Sequence, residues 1–136
     1  MAELQRIMSV EDDEDIRVLV NLALEMVGGF ELESCASGQE ALQRITAFEP
    51  DLLLLDSVMP EMDGAQTLAA IRDLPGMANV PAVFMTAKTQ DSDRQAFLSL
   101  GALEVLPKPF DPMTLSDEVR KIWDQHQGVS LEAAHD

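Results

Sequence analysis

The sequence predicts a single α/β domain: a doubly wound, five-stranded parallel sheet in the order 2-1-3-4-5, with helices on both faces. Three observations carry this. Short apolar runs alternate strictly with helical patterns from end to end. The central run, DLLLLD at 51–56, has no polar face, as a strand covered on both sides requires. Right-handed crossovers then leave few ways to wind such units within 136 residues.

Arg6–Val10 reads as a buried strand ending in acid, and Asp13–Val27 as a helix stopped by Gly28-Gly29. Phe30–Cys35 alternates as a second strand. Ser37-Gly-Gln-Glu40 is a capping-box pattern that opens a helix through Phe48, and Pro50 ends that segment. Asp51–Asp56 is the third strand, and Asp63-Gly64 opens a helix to Arg72. Val80–Met85 is the fourth strand and Thr89–Leu100 the next helix, closed by Gly101. Leu103–Leu106 is the last strand. Asp111-Pro112 reads as an N-cap with Pro at the first helical position, starting a helix with Leu115, Val119, Ile122 and Trp123 on one face. The domain is expected over 1–127, with a short polar tail over 128–136.

Composition narrows the function. Nine Lys+Arg against 25 Asp+Glu give a formal charge of −16, which repels nucleic acid and anionic membrane. Cys35 is the only cysteine, so no internal disulfide forms and a zinc site lacks a second thiolate. No apolar run approaches the roughly 18–20 residues that span a bilayer. The start, MAELQRIMSVEDDED, has no signal-peptide core. A soluble, reducing, cytoplasmic setting is expected.

In this topology ligands bind beyond the carboxyl ends of the strands. Those ends carry Glu11-Asp12-Asp13, Asp56, Thr86 and Lys108-Pro109. Glu11, Asp12 and Asp56 crowd carboxylates that raise one another's pKa values. A divalent cation relieves that conflict, and a few carboxylates with waters and carbonyl oxygens suit Mg²⁺. Thr86 adds a hydroxyl and Lys108 a compact positive charge. Together they fit phosphoryl transfer onto a carboxylate oxygen. Asp13 and Asp63 read as helix caps, Cys35, Met59 and Met85 as packing, and His126 and His135 have no catalytic role.

The segments VEDDEDIR, LLLLDSVMPEMDG, VFMTAK and LPKPF, in this order and spacing, resemble the receiver domains of two-component response regulators over residues 5–124. The resemblance implies a flavodoxin-like (βα)5 fold. It implies that Asp56 accepts a phosphoryl group from a phosphohistidine on a histidine kinase or histidine phosphotransfer protein. It further implies that Glu11, Asp12, Asp56 and the backbone carbonyl of Val58 hold Mg²⁺, with Mn²⁺ an alternative. Thr86 and Lys108 would contact the phosphoryl oxygens, and Lys108-Pro109 would be a cis peptide.

Some positions depart from the family's pattern. Val105 stands where relatives carry the Tyr or Phe whose ring swings on activation. Glu61 stands where Gly is common, and Glu104 where Gly or a small residue is. Val58 and Lys88 occupy the positions that tune acyl-phosphate lifetime, and Val58 cannot orient water by hydrogen bonding. On the first helix, Ile16, Leu19, Val20, Ala23, Leu24 and Val27 form the stripe expected to face the sheet, with Arg17, Asn21 and Glu25 opposite. Val18, Leu22 and Met26 form a second row, which is either buried under a neighbouring helix or a docking ridge. Val105, Ile16, Val18, Leu22 and Met26 are therefore the candidate switch and partner residues.

The leading expectation is a single-domain response regulator acting as a monomer or weak dimer, with a downstream protein target and no nucleic-acid or membrane partner. It is a phosphoacceptor and not an enzyme acting on a separate substrate. The runner-up is a phosphorylation-independent interaction module on the same fold. An aspartyl-phosphate hydrolase would carry DxD at its first strand and a cap domain, and a flavin site would not tolerate EDDED.

Overall fold

The computed structural model describes residues 3–88 and 90–135, with side chains through His126. Its five parallel strands are β1 (Arg6–Val10), β2 (Glu31–Cys35), β3 (Leu52–Asp56), β4 (Ala82–Thr86) and β5 (Glu104–Pro107), in the order β2-β1-β3-β4-β5. The helices are α1 (Glu14–Asn21, continued by a π-helical stretch, Leu22–Val27), α2 (Gly38–Phe48), α3 (Gly64–Arg72), α4 (Asp91–Ser99) and α5 (Leu115–His135). The predicted fold class and strand order are those observed.

β3 shows why the sheet is covered twice. Leu52 and Leu54 join Ile7, Val83 and Met85 against Val20 and Leu24 of the first helix and Leu115 and Val119 of α5. Leu53 and Leu55, pointing the other way, join Met8, Val10 and Phe84 against Ile45 of α2 and Leu68 and Ile71 of α3. Alternation along an extended strand sends neighbouring leucines to opposite layers. Cys35, Met59 and Met85 are all buried in these layers. α4 has no buried residue. Phe97 anchors it, its ring 4.8 Å from that of Phe84.

Local signals set the boundaries. Asp13 accepts from the backbone N–H groups of Asp15 and Ile16 at 2.9 and 3.2 Å. Asp63 and Gln66 form a reciprocal capping box at 2.8 and 2.9 Å. Ser37 accepts from Glu40 N–H, but the Glu40 carboxylate turns to the N–H of Ala36, so this box is only half of the expected pair.

Several expected boundaries move. β4 begins at Ala82, two residues after Val80, because Pro81 has no N–H for the ladder. Asp111 caps a turn instead of α5 itself: its carboxylate accepts from Met113 N–H and its carbonyl from Leu115 N–H. α5 runs on to His135, through the stretch expected as a tail. The expected helix start at Thr89, the last tail residue Asp136 and the side chain of His135 lie outside the described residues.

The first helix departs most. Val20, Ala23 and Leu24 are buried as expected, but Leu19 and Val27 are 42 % and 43 % exposed. Leu19 lies at the margin of the stripe. Val27 ends the π-helical stretch, whose wider turn rotates it off the sheet-facing side. That stretch is tied to α5: the Ser116 hydroxyl donates to Ala23 O, and Arg120 donates to Gly28 O while stacking 4.3 Å over Phe30.

Candidate phosphoacceptor site

Strand register brings the site together. Val10 pairs with Leu55, so Glu11 and Asp56, the next residue of each strand, emerge side by side. Asp56 pairs with Met85 and Thr86 with Pro107, which places Thr86 and Lys108 at the same edge. The N–H of Lys108 donates to Thr86 O at 2.9 Å.

The Lys108 ammonium bridges two buried carboxylates, donating to Glu11 Oε1 at 2.7 Å and Asp56 Oδ1 at 2.9 Å. The second Glu11 oxygen accepts from Asp13 N–H at 3.1 Å. Asp56 Oδ1 also receives Val58 N–H at 3.4 Å. Asp12 is exposed at the rim. Carboxylate oxygens of Glu11, Asp12 and Asp56 lie within 4.8 Å of one another. Three hard oxygen donors at that spacing, two of them buried, fit a small divalent cation such as Mg²⁺.

The electrostatics show what the cluster costs. Burial pushes the Glu11 carboxyl up to about 7; Lys108 and the Asp13 N–H pull against this, and Asp56 adds to it. Burial alone would lower Lys108, but its hydrogen bonds to Glu11 and Asp56 outweigh that and raise its pKa. One ammonium therefore serves two carboxylates, and the third is left to water or a cation.

Thr86 is buried, and its hydroxyl oxygen accepts from Lys88 N–H at 3.0 Å, leaving the hydroxyl proton for another acceptor. Lys108-Pro109 is cis. Val58 exposes its side chain beside Asp56, and Val105 is half-buried in β5. On the first helix Val18, Leu22 and Met26 are 59 %, 40 % and 78 % exposed, which excludes their burial under a neighbouring helix. Ile16 is half-buried against the core and does not share their surface.

Two features of the site escape a reading by motif. Gly64 opens α3 so close to β3 that a Cβ there would collide with the Asp56 carbonyl and the Phe84 ring. Glu61 has φ of 69°, a left-handed conformation that Gly adopts without strain. Its departure from the family pattern thus falls where the backbone favours Gly.

A fold and acidic pocket of this kind define a class, and comparison with known proteins gives the family. Residues 7–120 match the model for the response regulator receiver domain, and the chain belongs to that family. It is 37 % identical over 119 residues to a Haemophilus influenzae transcriptional regulatory protein, the CpxR homolog, covering 88 % of this chain and 50 % of that one. It is 33 % identical over 130 residues to response regulator Rre1 of Synechocystis, covering 96 % of this chain and 56 % of that one. The chain thus spans about half the length of these curated relatives. Among solved structures it resembles the Vibrio cholerae chemotaxis protein CheY4, with a TM-score of 0.80 and 29 % identity over 88 % of this chain and 98 % of that one. A putative response regulator from Chloroflexus aurantiacus superposes with a TM-score of 0.77 at 32 % identity, covering 88 % and 98 %. Among the described residues, no helix is long and apolar enough to cross a membrane.

Proposed function

We propose that Asp56 is the phosphoacceptor of a cytoplasmic response regulator receiver, whose output is a protein contact or onward transfer of the phosphoryl group. The observation that carries this is the Glu11–Lys108–Asp56 bridge at the carboxyl edge of the sheet. An Asp56 oxygen attacks phosphorus of a phosphohistidine on a histidine kinase or phosphotransfer protein. The P–O bond forms as the P–N bond breaks, and the imidazole leaves with a proton. Lys108 and the Thr86 hydroxyl stabilise charge on the transferred oxygens. Glu11, Asp12, Asp56 and the Val58 carbonyl would hold Mg²⁺, which when bound offsets repulsion between the carboxylate and the phosphoryl oxygens.

Phosphorylation places about −2 charge beside Thr86 and Lys108. Thr86 drawn toward that charge releases Lys88 N–H and moves the loop leading to α4. Val105 has no ring to swing, so this loop carries the switch and Val105→Ala should leave the response unchanged. A lost response in that variant would return the readout to β5. The exposed row Val18, Leu22 and Met26, on the helix that begins beside Asp12, is the surface for the phosphodonor. Leu22→Glu should weaken transfer from the protein donor while acetyl phosphate remains effective; equal loss with both would mean misfolding.

Intact mass after incubation with Mg²⁺ and acetyl phosphate tests the central step. One added phosphoryl group, absent with chelator and in Asp56→Asn, is expected. Folded, Mg²⁺-binding protein that takes up neither phosphoryl nor beryllofluoride would instead be an interaction module that works without phosphorylation. Val105, which cannot reproduce the aromatic readout, is the observation that keeps this second reading open.

A further inference from the structure

We propose that Arg17 is a positioning residue for the divalent-cation site; this rests on reading Glu11, Asp12 and Asp56 as that site. One guanidinium nitrogen, Nη1, donates to Glu11 O at 3.0 Å and to Asp12 O at 3.3 Å. Those carbonyls belong to the turn where β1 hands over to α1. In that turn three successive acids do three different things. Glu11 is buried against Lys108, Asp12 stands exposed at the rim of the carboxylate cluster, and Asp13 caps α1. The turn must hold one backbone conformation for all three to be met.

Arg17 is well placed to hold it. Its own N–H is fixed in the first turn of α1, bonded to Asp13 O at 2.9 Å, so its side chain reaches back from a rigid base. The planar fork offers two hydrogens on one nitrogen to two carbonyls, which would otherwise need water. The orientation of the Asp12 carboxylate relative to Glu11 and Asp56 then depends on this clip, in the way outer hydrogen bonds orient metal ligands.

Charge and geometry predict opposite signs. As a positive charge on the turn that carries Glu11 and Asp12, Arg17 opposes a cation, so removing it should tighten Mg²⁺ binding. As a clip on the turn, removing it should loosen binding. The full-length chain is titrated with MgCl₂ by calorimetry, in wild-type, Arg17→Gln and Arg17→Lys forms, with thermal melts in EDTA alongside. We expect Arg17→Gln to bind Mg²⁺ about tenfold more weakly. Arg17→Lys, with one compact donor, should recover part of the loss. It also carries the test should the Gln variant prove unstable in EDTA. Unchanged or tighter Mg²⁺ binding overturns the proposal. So does a lower melting temperature at unchanged affinity, since that is a clip serving only the fold. Failure of the wild type to bind Mg²⁺ overturns the cation site itself, a result separate from any difference between the variants.

Discussion

Two ion-paired assemblies flank β5. At its carboxyl end Lys108 lies between Glu11 and Asp56, all three mostly shielded from water. At its start Arg94 of α4 forks onto Glu104 through Nε at 2.8 Å and Nη2 at 2.9 Å, with both side chains substantially exposed. The surface pair is complete: two donors, two acceptors and opposite charges. The buried group has one cation for two anions, with a third carboxylate at the rim. A satisfied exposed pair adds little and does nothing further. An under-neutralised buried one is a standing demand for positive charge, which a cation can meet.

Removing Lys108 should produce the largest effect. Lys108→Ala leaves two buried carboxylates uncompensated and should cost about 3 kcal/mol at pH 8 in chelator. Denaturant unfolding checks this, and Mg²⁺ should restore part of the loss. A variant as stable as wild type would mean that the carboxylates are already neutralised by other means.

Next in size is a pH effect confined to the buried group. Glu11 titrates at about 7 in the fold and at the ordinary 4.5 when unfolded, so the folded chain holds an extra proton between those values. Its contribution is complete below about 4.5 and is lost as pH rises through 7. In chelator the swing should be at most about 3 kcal/mol, and saturating Mg²⁺ should flatten it by competing with the proton. A flat profile without Mg²⁺ would remove the buried group's distinction.

The smallest effect belongs to the surface pair. Arg94 holds the Glu104 carboxyl below the usual carboxylate range, so the pair's contribution is present above that range and fades as pH falls through it. Arg94→Ala should lower the melting temperature less than Lys108→Ala, and added salt should erase the difference. A loss comparable to that of Lys108→Ala would show that this pair, with Phe97, is what keeps α4 on the sheet.

Much of the molecule is legible in the sequence because short-range rules govern it. β1 falls at Arg6–Val10 as read, and Asp13 and Asp63 cap as read, since a cap needs only its next few neighbours. Asp56 announces itself as the acid that ends a wholly apolar strand. What escaped depends on distant partners. The π-helical stretch at 22–27 is tied to Ser116 and Arg120, more than ninety residues away, and no local pattern contains them. Arg17 reads as part of a polar face until the fold shows which carbonyls it reaches. Arg94 and Glu104 become a pair only once α4 lies against β5.

The lone cysteine has a practical consequence. Cys35 ends β2 beside Val10 and is completely buried, and burial pushes its thiol up to about 12. Thiolate is the reactive form, so an alkylating reagent at neutral pH meets no target while the sheet is closed. Each alkylated chain is one in which the layer that covers Cys35, with Ala41 and Ile45 of α2, has opened. The rate of labelling therefore times that opening, and a single mass shift per chain counts the events without any engineered probe.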